Sequence, residues 1–215
     1  MAFKRQLVAF FVAFAGALAA VSAPAAAQTT QIVGFGDSLM AGYGLSPGES
    51  FPEKLEKALR ERGHDVVIAN AGVSGDTSSG GLARLDWSVP DGTNLVILEL
   101  GANDMLRGIS PAITRRNLSE MIARLKDRGI AVLIAGMRAA PNLGAGYQQE
   151  FDGMFSALAQ EHGVPLYPFF LDGVAAQKGY LLDDGMHPNA AGVDVMVARF
   201  LPAIEAMLSA GAPKS

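Results

Sequence analysis

Ile32-Val33-Gly34-Phe35-Gly36-Asp37-Ser38-Leu39 is the stretch on which the reading of this chain turns. Its first four residues form an apolar run with no polar face, the mark of a strand covered on both sides. Gly36 and Asp37 break the run and deliver Ser38 to the strand's exit. A turn into a following helix at that point exposes the Ser38 hydroxyl and aims its backbone N–H at the same place. The stretch is not a Gly-x-Ser-x-Gly elbow, because Met40 stands where the second glycine is required. Taken alone, Ser38 reads as readily as the N-cap of a helix after a strand.

Outward from this stretch the same apolar pattern recurs at residues 66–69, 95–100, 130–135 and 164–167. Amphipathic segments with recognisable ends lie between the runs. Ser50 caps a helix over 51–62 that Gly63 stops, and Ser110-Pro111 opens one over 112–128 that Gly129 ends. A third spans 147–162 before Gly163, and the last covers 190–208. Five strands alternating with helices, without repeats or low-complexity linkers, predict one three-layer α/β/α domain with a mainly parallel sheet. Ligands in such sheets bind outside the carboxyl ends of the strands, so functional residues are expected just after them.

Residues 1–27 are set apart from the fold as a secretory signal peptide. Lys4 and Arg5 precede an uncharged run over 7–21, Pro24 breaks it, and Ala25-Ala26-Ala27 offers a small-residue cleavage site near Ala27. That run of 15 residues falls short of the roughly 20 a spanning helix needs. Cleavage implies a periplasmic or secreted protein without stable membrane insertion. It leaves 188 of the 215 residues, one domain over 28–215, and moves the formal charge from −4 to −6. A mildly acidic chain carries no footprint for nucleic acid. The absence of cysteine excludes disulfides and thiolate ligands.

The chemistry-bearing residues cluster at the expected places. A serine hydroxyl needs a base to take its proton as it attacks. Of three histidines, His64 follows a turn glycine and His162 ends a helix, positions that suit solvated or dipole-facing side chains. His187 sits in the polar stretch Asp184-Gly185-Met186-His187-Pro188 just before the last helix. Residues three apart on a helical turn share a face, so Asp184 is placed to orient His187, and Asp183 at spacing four competes for that role. The other ring nitrogen would then face Ser38, as in a serine triad.

Acyl transfer also needs donors for the developing oxyanion. The loop Asn70-Ala71-Gly72-Val73-Ser74-Gly75-Asp76-Thr77 and the stretch Gly101-Ala102-Asn103-Asp104 both follow strands. Each has a plainer reading, an Asp76 or Thr77 helix cap for the first and an Asx-turn for the second. Leu39, Met105, Leu106 and Leu143 border an acyl groove or belong to the core. Three scattered histidines without cysteine supply no metal cluster of usual spacing. No metal or organic cofactor is needed for this chemistry.

With these stretches in place, the chain resembles the SGNH (GDSL) hydrolase family across essentially its whole length after residue 27. Gly36-Asp37-Ser38-Leu39, Gly75 within the second loop, Gly101-Ala102-Asn103-Asp104 and Asp184-Gly185-Met186-His187-Pro188 resemble that family's blocks in order. Within it the chain is most similar to the periplasmic acyl-CoA thioesterase I / lysophospholipase / arylesterase group. The resemblance implies Ser38 as nucleophile, His187 as base and acid, and Asp184 as orienter. It also implies an oxyanion hole from the Ser38 N–H, the Gly75 N–H and the Asn103 side chain, and a flavodoxin-like strand order 2-1-3-4-5. The expected activity is a serine esterase acting on a small-molecule ester or lipid-like substrate through an acyl-enzyme. A carbohydrate acetylesterase of the same fold is the alternative, and a binding protein on that fold is the other class.

Overall fold

The computed structural model describes residues 29–210. The signal-peptide assignment to residues 1–27 therefore lies outside the described residues. Five strands, β1 Thr30–Gly36, β2 Val66–Gly72, β3 Leu95–Leu98, β4 Ala131–Ala135 and β5 Leu166–Tyr167, form one sheet. Its order is β2-β1-β3-β4-β5 and every pairing is parallel. The three-layer α/β/α class with a flavodoxin-like order is thus the observed architecture.

Seven helices occur among the described residues: α1 Ser38–Ala41, α2 Phe51–Glu61, α3 Ser78–Ser88, α4 Ala102–Leu106, α5 Pro111–Asp127, α6 Ala145–His162 and α7 Ala190–Ser209. α2 and α7 pack together on one side, while α3, α5 and α6 pack as a second group. Parallel strands need crossovers, and helices serving as crossovers cover both sheet faces. This is why β3 is buried at all four positions. Phe51, Phe170 and Phe200 meet edge to face between α2, α7 and the segment after β5. Among the described residues no helix is long and apolar enough to cross a membrane.

The four long helices lie within two residues of their predicted bounds. Glu53 accepts hydrogen bonds from both the backbone N–H and the hydroxyl of Ser50, closing the first turn of α2. Three further helices have no span predicted from periodicity. α1 and α4 have four and five residues, too few for a periodic pattern. α3 contains Gly80 and Gly81 side by side, each costly in a helix interior. Tertiary contact overrides propensity there, because a methyl at Gly81 would lie 2.3 Å from the Leu100 side chain. β5 is shorter than the run 164–167, since Pro165 has no N–H to offer the ladder.

Candidate active site

β1 ends at Gly36, and the chain turns directly into α1 with Ser38 as its first residue. The N-cap is Asp37, whose Oδ1 accepts from the Leu39 N–H at 3.0 Å. This corrects the cap reading of Ser38: the aspartate takes the capping role and leaves the serine hydroxyl free for another partner. That partner is His187, whose Nε2 lies 2.9 Å from Ser38 Oγ. The two residues are 149 positions apart in the chain.

The segment carrying His187 is a narrow hairpin and not a helical turn. Leu181 and Pro188 form an antiparallel bridge, and Leu182 N–H donates to His187 O at 2.8 Å. Gly185, at φ +70, lets the chain reverse between them. Asp184 lies within reach of His187 because of this reversal, so the helical-face reasoning is replaced by loop geometry. Asp184 Oδ2 lies 2.6 Å from His187 Nδ1, while its Oδ1 accepts from the N–H groups of Met186 at 2.8 Å and His187 at 3.0 Å. Asp183 is exposed, and the Nδ1 contact belongs to Asp184.

The backbone N–H of His187, then that of Met186 and the imidazole itself, hold the Asp184 carboxyl down at about 2. An ionised carboxylate only accepts, so Nδ1 must carry the proton and Nε2 faces Ser38 as an acceptor. The Tyr43 ring lies against the imidazole with centroids 4.5 Å apart. Together these contacts fix both the tautomer and the orientation of the ring.

Two further loops reach the same cavity. Ser38, Gly75, Asn103 and His187 all line a space of about 570 Å³ at the carboxyl end of the sheet. Asn103 stands on α4 just past β3, and its Nδ2 donates to Asp37 Oδ2 at 2.9 Å. An amide has two N–H donors, so one remains for a ligand. Gly75 lies in the loop before α3, where Thr77 is the cap and accepts from the Gly80 N–H. Asp76 has a different task from capping: it pairs with Arg84 at 2.7 Å.

Buried polar residues that the motifs do not announce hold these loops. Arg84 also donates to Ala71 O and Gly36 O, both at 2.9 Å, clamping the ends of β1 and β2. Asp104 accepts from the Ser78 N–H at 2.7 Å and the Thr114 hydroxyl at 3.0 Å, tying α4 to α3 and α5. Glu99 lies fully buried below Asp37. A lone carboxylate inside the apolar run 95–100 and an arginine among buried neighbours are the signals that could have marked Glu99 and Arg84.

The remaining cavity wall is mostly apolar. Leu39, Met105 and Leu106 line it with Met137, Phe169 and Leu171, whereas Leu143 lies outside it and packs against the core. His64 and His162 are elsewhere, the first beside Glu205 and the second on the Ser119 hydroxyl. Among the described residues no group of three His, Asp or Glu side chains converges as a metal site would require.

A family model described as the GDSL-like Lipase/Acylhydrolase family matches residues 35–195. The arylesterase of Vibrio mimicus is 43% identical over 170 residues, covering 77% of this chain and 84% of that protein. Esterase TesA of Pseudomonas aeruginosa is 38% identical over 193 residues, covering 89% of this chain and 95% of that protein. The crystal structure of AlinE4, an SGNH-hydrolase family esterase, is similar at a TM-score of 0.71 with 49% identity, covering 84% of this chain and 97% of that one.

Proposed function

This chain belongs to the GDSL-like lipase/acylhydrolase family and is an SGNH-type ester hydrolase, and from that premise we propose how its own residues carry the reaction. Ser38 Oγ attacks the ester carbonyl while its proton passes to His187 Nε2. The carbonyl oxygen becomes an oxyanion held by the Ser38 N–H, the Gly75 N–H and the free Nδ2–H of Asn103. Collapse breaks the bond to the alkoxy or aryloxy group, which leaves with the proton from His187. Water then attacks the Ser38 acyl-enzyme, giving its proton to the same imidazole, and the second collapse releases the acid and restores Ser38. Asp184 keeps Nδ1 protonated throughout and stabilises the imidazolium.

The observation that carries this reading is the chain of contacts from Asp184 Oδ2 to His187 Nδ1 and from His187 Nε2 to Ser38 Oγ, at 2.6 and 2.9 Å. The substrate is a carboxylic ester with an apolar acyl group of modest size, of the arylesterase, lysophospholipase or thioesterase type. The apolar wall of Leu39, Met105, Leu106 and Met137 supports an acyl chain over an acetylated sugar. The protein acts after export, in the periplasm or outside the cell, following cleavage near Ala27.

Incubation with a fluorophosphonate is expected to add one phosphonyl group to Ser38, seen by peptide mass spectrometry. Ser38→Ala is expected to show neither the adduct nor hydrolysis of a p-nitrophenyl ester series. Wild-type turnover in Ser38→Ala refutes the nucleophile. Preference for acetylated sugars over acyl esters refutes the substrate class.

A further inference from the structure

Two carboxyl groups lie directly beneath Ser38, and the steps above use neither. Asp37 and Glu99 are both fully buried. The Asp37 N–H donates to Glu99 Oε2 at 3.2 Å, which brings the two acids together at the end of β1. Glu99 Oε1 is buried without a protein partner. The packing is tight enough that a methyl at Gly36 would lie 2.4 Å from Glu99 Oε2 and 2.6 Å from the Glu99 carbonyl oxygen. The pair is therefore built into the end of β1 and is not a chance approach of mobile chains.

Two adjacent carboxylates in an apolar interior do not both ionise. The hydrogen bonds decide which one keeps the proton. Asp37 accepts from Leu39 N–H on Oδ1 and from Asn103 Nδ2 on Oδ2. Burial pushes Asp37 up to about 6, and those donors restrain the rise. Glu99 has one backbone donor and an orphaned oxygen, and burial with the adjacent Asp37 charge drives it well above the ordinary carboxyl range.

We propose that Asp37 and Glu99 form a one-proton carboxyl pair, Glu99 neutral and Asp37 anionic, that positions the oxyanion donor. The Asp37 carboxylate takes one Nδ2–H of Asn103 and thereby aims the other at the carbonyl oxygen above Ser38. The proton on Glu99 removes a second negative charge from beneath a site where negative charge must develop. Both are positioning residues that act through Asn103, and the inference rests on the reading of Asn103 as an oxyanion donor.

A double-mutant cycle on the purified enzyme tests the coupling, with kcat and KM measured on one p-nitrophenyl ester. In Asp37→Asn a single carbonyl oxygen must serve two donors, so Asn103 loses its aim. Asn103→Ala and Asp37→Asn are each expected to lower kcat by about 10²-fold, with KM changed by less than about threefold. The double variant is expected to fall less than about threefold below Asp37→Asn, since both changes remove the same donor. Glu99→Ala is expected to slow turnover, and Glu99→Gln, which keeps a neutral donor and acceptor, to recover most of the loss. Infrared spectra at neutral pH are expected to show a protonated carboxyl C=O band that Glu99→Gln lacks.

Full multiplication of the two losses in the double variant overturns the coupling, as does wild-type kcat in Asp37→Asn. Absence of the protonated band overturns the one-proton pair, and that measurement needs only the folded wild type and Glu99→Gln. Wild-type kcat in Asn103→Ala sinks the oxyanion reading itself. A slow Asn103→Ala beside a fast Asp37→Asn sinks the positioning role alone.

Discussion

Asp184→Asn changes one atom and is expected to disable the imidazole without moving it. The two oxygens of Asp184 have different partners: Oδ1 takes the N–H groups of Met186 and His187 at 2.8 and 3.0 Å, and Oδ2 takes His187 Nδ1 at 2.6 Å. An asparagine has one carbonyl oxygen. Placing it at Oδ2 would set the NH₂ against two backbone donors and lose both bonds, so the oxygen stays at the Oδ1 place. The NH₂ then faces Nδ1, which must become an acceptor, and the ring proton moves to Nε2. That nitrogen now points an N–H at Ser38 Oγ, 2.9 Å away, and cannot take its proton. Inverting the tautomer of a triad histidine lowers kcat by ~10⁴, about 5 kcal/mol of barrier. KM is expected to stay within about threefold, because the cavity and the oxyanion donors remain. Steady-state hydrolysis of a p-nitrophenyl ester checks this, with Asp183→Asn expected to match the wild type. An Asp184→Asn enzyme within about tenfold of wild-type kcat refutes the tautomer reasoning. A slow Asp183→Asn beside it moves the orienting role to the neighbouring residue.

Two further outcomes concern the frame of the site. Arg84→Ala strands the nearly buried Asp76 carboxylate and leaves the Gly36 and Ala71 carbonyls without their donor; a loss of ~3–5 kcal/mol is expected. Calorimetry should show Tm lower by about 10 °C, and a fall under about 2 °C refutes the clamp. Asp37 is raised from 3.8 to about 6, so the folded state binds its proton more tightly than the unfolded chain does. Its contribution to stability is fully present below about pH 4 and is lost as pH rises through about 6, a swing of ~3 kcal/mol. Urea unfolding across that window should show a steeper fall in the wild type than in Asp37→Asn, where buried Glu99 still contributes a fall of its own; equal slopes in both refute it.

Much of the site could be read from short stretches because each lies at a strand end, where a run of apolar residues stops abruptly at a turn. Gly36-Asp37-Ser38, Gly75 and Asn103 are marked in that way, and the parallel sheet itself dictates that such ends share one edge. The strands and the four long helices were likewise legible, since burial on two faces or on one leaves a one-dimensional pattern. α3 was not, because Gly81 answers to the Leu100 side chain, a contact that no local pattern encodes.

By itself, then, the amino-acid order determined the α/β/α class, the alternation of elements and the residue types assembled at the carboxyl edge. Only the tertiary structure decided which partner each group takes. Asp37 caps α1 and frees Ser38, Asp184 rather than Asp183 meets His187 through a hairpin, and Glu99 takes the Asp37 N–H. The physical reason is range. Periodicity and capping are local and repeat along the chain, whereas a hydrogen bond between residues 62, 66 or 149 positions apart exists only after the backbone has brought them together.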